Sequence, residues 1–391
     1  MTAAHGAELR IDGSARETEK YTIIFDYVQQ PVGAKGSWFQ PRPTAIPAKD
    51  DGIHAIMTVQ RALPGASDYF SGFSVSATVD AGKTWSSPRQ EPALGWRQHE
   101  DGITEGICDF TLGYHAPTAK VLAIGHSTRY RGKQLAYKSH GRDVMVSAYD
   151  PHSKNWSLPQ RLDLGNRDQY FLCGTHGQWL TEPDGSLLIP VYYTDRKGAG
   201  TFLLKGIVVR CAFDGKELTM TKLGKELVHP VRRGLYEKSL TVFRGRYYMT
   251  MRNDQKGYVA VSDDGLDFAA HKAWVFDDGT DLGSYNTQQK WVTHSDALYL
   301  VYTRRGADND HIMRHRAPLF MAQVDPKRLC VLRRTEQIVV PERGYAIGNF
   351  DATTVNRQET WITVGGKKPT PGFHLTRIRW KQPNQLAGRV N

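Results

Sequence analysis

No apolar run in the chain approaches the roughly 18 residues that a membrane-spanning helix requires. The segment Met1 to Gly13 is too polar for a signal peptide. The expectation is therefore a secreted or periplasmic protein whose signal has been removed, with a cytoplasmic location as the alternative, and no membrane partner. Cysteine is scarce. Cys108, Cys173, Cys211 and Cys330 are widely spread and form no C-x-x-C pair, which argues against zinc. They read as buried strand thiols, with a disulfide left open. No metal or other cofactor is expected, and a structural Ca2+ has no motif behind it. Zinc-finger spacing and RNP-like aromatic motifs are both missing, so nucleic acid has nothing to recognise it. Long helical periodicity and linker-like composition are missing too.

What the chain has in excess is positive charge. Lys and Arg number 51 against 40 Asp and Glu, a net charge of +11. A basic surface attracts polyanions. With nucleic acid set aside, an acidic poly- or oligosaccharide is the expected partner, and a basic surface without a partner is the alternative. The abundant Tyr, Trp and Phe suit both strands and sugar-stacking platforms. The oligomeric state is open.

The stretch that organises the rest is Thr78-Val79-Asp80-Ala81-Gly82-Lys83-Thr84-Trp85. Alternating Phe73, Val75 and Ala77 precede it and Ser-Ser-Pro follows. The Asp carboxylate can accept from amides two to four residues on. Gly82 supplies a positive φ, and Trp85 folds back as an apolar plug. Strand–Asp-turn–strand units recur at Asp80, Asp150, Asp214, Asp263 and Asp325, about one four-stranded blade apart. The fourth keeps Asp263, Gly265 and Phe268 at the spacing of the first; the second keeps Asp150 and Trp156 with one extra residue. Inner hairpins, offset from these turns, include 177–193 with its Glu182-Pro183-Asp184-Gly185 turn, 238–253, 290–305 and 352–366.

The eight-residue turn resembles the Asp-box of sialidase-like β-propellers. That resemblance implies an all-β fold: one β-propeller of four-stranded blades over residues 1–391, with 1–20 peripheral and 380–391 a tail. Five internal units plus one shared between the termini make six blades, with seven as the alternative. Tyr21–Val28 would complete the last sheet and close the ring.

In a propeller, the starts of innermost strands and the ends of second strands face one mouth of the central funnel. The starts are Arg42, Asp109, His176, Glu237, Asn286 with Gln288, and Asn349. The ends are Gln60 with Arg61, His126, Tyr193, Arg252, Arg304 with Arg305, and Lys367. This set is more polar than a core tolerates without pairing. The alternative is that these groups pair with one another and fill the channel.

Two resemblances assign chemistry to the funnel. Sialidases use three arginines, a Tyr–Glu pair and an acidic Asp; here Arg42, Arg252 and Arg304 or Arg305, Tyr345 with Glu237, and Asp68 stand in matching places. Phe39-Gln40-Pro41-Arg42-Pro43 departs from the usual Phe/Tyr-Arg-Ile-Pro motif. The stretches 112–127, 285–291, 303–320 and 343–350 are similar to propeller lyases acting on L-rhamnose-α-1,4-D-glucuronate. That resemblance implies β-elimination at a terminal acidic sugar. Arg and Asn would grip the carboxylate, here from Arg42, Arg233, Asn286, Gln288, Arg304, Arg343 and Asn349. His126, His176, Tyr236, Glu237 and Arg252 are the expected catalytic set, with the two histidines as the proton-transferring pair. An exo-sialidase-type hydrolase and a non-catalytic glycan-binding propeller are the alternatives. His115 is expected at the opposite face. The loop 306–316 reads as a wall of the site, a cation loop or a salt-bridged tie.

Overall fold

The computed structural model describes residues 7–29, 38–48, 52–366 and 372–387; Lys367 lies outside them. Among the described residues the strands form six antiparallel sheets. The first contains Trp38–Ile46, His54–Arg61, Ser74–Thr78 and Arg89–Gln90. The second is built on Ile103–His115, Lys120–Arg131 and Val144–Asp150. The third has a divided inner strand, Leu172–Gly174 and Leu180–Thr181, followed by Leu187–Thr194, Lys205–Phe213 and Leu218–Leu223. The fourth contains Tyr236–Phe243, Arg246–Arg252 and Gly257–Ser262. The fifth contains Lys290–Thr293, Leu298–Tyr302 and Leu319–Asp325. The sixth joins Phe350–Thr354, Glu359–Gly365 and Gly372–Trp380 to the N-terminal Tyr21–Gln29 and Ala7–Glu17.

The sheets are arranged as a propeller. Inner strands touch in sequence around an axis: Trp38–Ile46 meets Ile103–His115, Tyr236–Phe243 meets Lys290–Thr293, and Phe350–Thr354 returns to Trp38–Ile46. Tyr21–Gln29 runs antiparallel to Gly372–Trp380 from the Tyr21–Trp380 pair to the Gln29–Gly372 pair. Chain ends are thus bonded within one sheet, as the sequence suggested. Among the described residues of the C-terminal stretch, Asn384 is buried, donates from Nδ2 to the Thr293 carbonyl (2.8 Å) and accepts from the Ser295 amide. All four cysteines are buried free thiols.

The Asp80 turn forms as its sequence predicts. Asp80 Oδ1 accepts from the Thr84 amide (2.9 Å) and the Thr78 hydroxyl (2.8 Å). Gly82 has φ +71°, and a Cβ there would meet the Trp361 ring at 3.0 Å. Only glycine satisfies both the conformation and the contact. Trp85 is buried between the first and sixth sheets, edge-on to Trp361 at 5.9 Å. Trp85→Ala would cost about 3–5 kcal/mol by opening a cavity; urea unfolding at equilibrium measures it.

The fourth turn needs a correction. Its capping carboxylate is Asp264, not Asp263: Asp264 Oδ1 accepts from the amides of Leu266 and Asp267. Asp263 pairs outward with Arg246. Ser262 decides the register, because its hydroxyl bonds Asp264 as Thr78 bonds Asp80. Asp150, Asp214 and Asp325 each cap two following amides in the same way.

Candidate functional site

Three inner strands carry an irregularity at the same level of the funnel. Pairing slips between Phe39 and Arg42, between Cys108 and Thr111 opposite His126 and Ile124, and between Tyr236 and Ser239. Each slip contains a non-glycine residue with positive φ: Gln40 at 54°, Asp109 at 59° and Glu237 at 42°. Asn286, just before the fifth sheet's inner strand, has φ 49°. A bulge breaks the in–out alternation and re-aims one side chain. Such backbone costs of order 1–3 kcal/mol per residue and persists where surrounding structure enforces it. All four residues line one cavity of about 380 Å³.

One wall is built from the second and third sheets. Asp109 Oδ2 lies 2.7 Å from His176 Nδ1 and 3.6 Å from His126 Nε2. His176 Nε2 faces Arg42 Nη2 at 3.0 Å. A guanidinium only donates, so Nε2 accepts and the His176 proton sits on Nδ1, towards Asp109. Burial opposes the Asp109 charge, but His176, His126 and Arg42 outweigh it and hold the carboxyl well below its usual range. His126 Nδ1 donates to the Thr175 carbonyl at 3.1 Å. Its Nε2 therefore carries the lone pair and, at the cavity wall, accepts from Arg142 Nη1 at a long 3.5 Å. Burial, then Arg142, pulls the His126 pKa down to about 4, so the ring is neutral at pH 7. Arg142 also reaches Asp68 (3.4 Å) and lies 5.6 Å from the Tyr137 ring centroid. Tyr192 lines the cavity beside these groups, and burial raises its pKa, so it keeps its proton.

The facing wall comes from the fourth and fifth sheets. Arg252 bonds Glu237 and Asn286. Burial opposes the Glu237 charge, but Arg252 and His176 prevail and hold its pKa at about 2. Tyr236 lies between Arg233 (4.4 Å) and Arg252 (4.5 Å) and donates to Asp254 at 2.6 Å. Arg316 donates to Thr287 Oγ1 (3.0 Å) and the Asn286 carbonyl (2.6 Å). Below the cavity, Arg42 is buried, with Asp351 3.7 Å away and Lys290 3.1 Å beyond that carboxylate.

Of the residues expected from sequence, His126, His176, Tyr236, Glu237, Arg252, Arg233, Asn286 and Asn349 line this cavity, and Arg42 supports its floor through His176. Three lie elsewhere. Arg304 forms a two-pronged pair with Glu336 (2.9 and 2.7 Å) against Phe320, away from the cavity. Gln288 is buried in the channel and bonds the Phe350 carbonyl. Arg343 is exposed. Tyr345 bonds His374 at 2.8 Å and does not line the cavity. His115 bonds Thr118 and the Gly185 carbonyl near the opposite hairpin turns. In the loop 306–316, Asn309 ties the carbonyls of Arg304 and Ala317 together, while Arg314 and Arg316 reach the cavity.

Arg142 is absent from the sequence list, and Arg316 stands in it only as a loop residue. Both precede third strands, Val144–Asp150 and Leu319–Asp325. Antiparallel strands alternate direction, so third-strand starts face the same mouth as first-strand starts. Counting only first and second strands left this tier out.

No protein-family model matches the chain. A curated sialidase from Bacteroides fragilis (strain YCH46) is 26% identical over 131 residues, 31% of this chain and 24% of the relative. The match therefore takes in about a quarter of that protein's length. Among solved structures, a protein of unknown function from Dyadobacter fermentans aligns at TM-score 0.62 with 14% identity, over 94% of this chain and all of that one. Trypanosoma rangeli sialidase aligns at 0.57 with 14% identity, over 97% of this chain and 60% of that one. A K499G mutant of NanB sialidase from Streptococcus pneumoniae aligns at 0.58 with 10% identity, over 90% and 69%. At these identities the likeness is one of fold: the chain is a sialidase-like β-propeller.

Proposed function

We propose that this propeller has six blades, one per sheet, and that it is a glycan-processing enzyme working on a terminal acidic sugar by β-elimination. The observation that carries the reading is His126: a neutral imidazole whose tautomer is set by Thr175, with its Nε2 lone pair at the cavity wall under only a long 3.5 Å contact from Arg142, which a bound carboxylate would draw away. Elimination at a uronate removes the C5 proton, which is acidified when the adjacent carboxylate is neutralised. Arg142, next to His126, holds the carboxylate. His126 Nε2 takes the C5 proton, the electron pair forms the C4–C5 double bond, and the C4–O bond breaks. Tyr192 gives its proton to the departing sugar oxygen. His176 acts as a positioning residue, because its accepting nitrogen is held by Arg42 at 3.0 Å and its other nitrogen faces Asp109 at 2.7 Å, both closer than the 3.5 Å contact on His126 Nε2. The departing sugar is L-rhamnose in the finest form of this proposal.

The test is incubation with a rhamnose–glucuronate-terminated arabinogalactan and, separately, with sialyl-lactose. Released rhamnose together with ultraviolet absorbance from a conjugated unsaturated uronate is the expected result. Free sialic acid without new absorbance would overturn elimination.

A hydrolase is the second reading. It is favoured by the sialidase relatives and by two carboxylates, Asp68 and Glu237, in one cavity with several guanidiniums. It needs Tyr345 as nucleophile against Glu237, yet the Tyr345 hydroxyl is bonded to His374. Tyr345→Phe separates the readings. The elimination reading expects kcat within about twofold of wild type, whereas loss of a nucleophile costs orders of magnitude.

A further inference from the structure

Away from the funnel, His229, Tyr258 and His271 come together beside the two outermost strands of the fourth sheet. His229 belongs to the connection that leads from Leu218–Leu223 to Tyr236–Phe243. Tyr258 is on Gly257–Ser262 and pairs with Ala273 of the outermost strand, Lys272–Ala273, which His271 immediately precedes. His229 Nδ1 and His271 Nε2 are 3.1 Å apart, and the Tyr258 hydroxyl is 2.9 Å from His229 Nε2. The two imidazole planes stand at 87°, with ring centroids 5.0 Å apart. Both histidines are half-buried, so solvent reaches them.

Burial lowers the pKa of both rings, and His229 lowers that of His271 further. Neither has a carboxylate partner among the described residues. The pair is therefore neutral at pH 7, and each ring keeps one lone pair. With the His229 proton on Nε2, donated to the Tyr258 oxygen, the lone pair is on Nδ1 and faces His271 Nε2. With the His271 proton on Nδ1, a second lone pair is directed at the same place.

Two imidazole nitrogens bound to one ion at about 2.0–2.1 Å stand about 2.9–3.4 Å apart, from right-angled to tetrahedral geometry. The observed 3.1 Å lies inside that span. A hydroxyl on the far nitrogen is the outer contact that fixes a ligating histidine's tautomer. We propose that His229 and His271 form a site for a divalent late transition ion, with water completing its coordination. Imidazole donors without carboxylates select Cu2+, Ni2+ and Zn2+ over Ca2+ and Mg2+, and Cu2+ is held most tightly. The ion replaces the hydrogen bond between the rings. The His271 proton stays on the ring, at Nδ1, so none is released at neutral pH. The ion fastens the connection that carries Arg232 and Arg233 to the cavity onto the edge of the fourth sheet. The two ligands lie 42 residues apart, a spacing with no motif.

Titration of the whole chain with CuCl2 in a non-chelating buffer tests this, read by electron paramagnetic resonance and by competition with a chelator. The tightest equivalent of copper is expected to show nitrogen hyperfine structure from two imidazoles. His229→Asn and His271→Asn should each remove that signature and weaken binding more than tenfold. Tyr258→Phe keeps both ligands and should weaken it by about tenfold. His152→Ala, an exposed histidine elsewhere, should change nothing. No saturable binding in the wild type overturns the proposal, as does an unchanged signature or affinity in folded His271→Asn. If one histidine variant does not fold, the other and Tyr258→Phe decide. The measurement needs no glycan, so its outcome is independent of the elimination reading.

Discussion

His126→Ala is expected to lower kcat/KM by about a thousandfold, the middle of the range for a lost general base. The acid limb of the profile gives a sharper signature. A base works unprotonated, so activity falls as pH drops through its pKa. In the free enzyme that pKa is about 4, pulled down by burial and then by Arg142. The kcat/KM profile of the wild type should therefore stay flat well below the ordinary histidine range and bend near pH 4. The kcat limb should lie higher, because a bound carboxylate favours the imidazolium. His126→Ala must abolish the bend along with the rate. A variant that folds, keeps its rate within about tenfold and retains the bend would remove His126 from the mechanism. His176→Ala is a control of another kind. It frees Asp109 and Arg42 from their shared imidazole, so it lowers the rate by misplacing them and leaves the position of the bend to His126.

How far this could be read from sequence depends on which physical signal each residue leaves. The Asp80 turn was legible because Thr78, Asp80, Gly82 and Trp85 each have one local reason for their spacing, and the reasons agree. His126, Glu237 and Arg252 were legible because hairpin turns bound the strands and propeller topology brings those strand starts and ends to one mouth. Asp264 was misplaced by one residue, since two adjacent aspartates offer the same chemistry and only the Ser262 hydroxyl separates them. Arg304 was drawn to the funnel by its strand-end position. Its partner Glu336 lies 32 residues on, and no local pattern announces such a pair. The positive φ of Gln40 and Glu237 is likewise invisible, because neither residue type favours the left-handed region, and Asp109, of a type that enters it more often, sits within a strand pattern that gives no turn signal. Bulges are specified by the surrounding sheets, and they are what aim the site.

Arg377→Ala is expected to destabilise the fold by about 3–5 kcal/mol, the usual cost of stripping the partner from a buried ion pair. Arg377 bonds Asp26 on the N-terminal strand and Glu359 on the second strand of the sixth sheet. It also donates to the Ala81 and Gly82 carbonyls of the Asp80 turn, at 2.6 and 3.0 Å. One guanidinium thus clasps the two ends of the chain and the first sheet together. All three charged side chains are less than a tenth exposed. Their removal from water is tolerable only while the charges compensate. Burial already raises the Asp26 pKa despite Arg377. Without the guanidinium it rises further, so the folded state binds a proton more readily than the unfolded one. For such a group the stability present at low pH is lost as pH rises through the folded pKa. The deficit of Arg377→Ala should accordingly be largest at neutral pH and shrink towards pH 5, as equilibrium urea unfolding at both pH values would register. A pH-independent deficit would mean that lost packing on Trp361, not the orphaned carboxylates, is the cause. The site lies away from this clasp, so kcat per folded molecule should be unchanged. Asp26→Asn combined with Arg377→Met should recover much of the loss, because it removes a buried charge of each sign together.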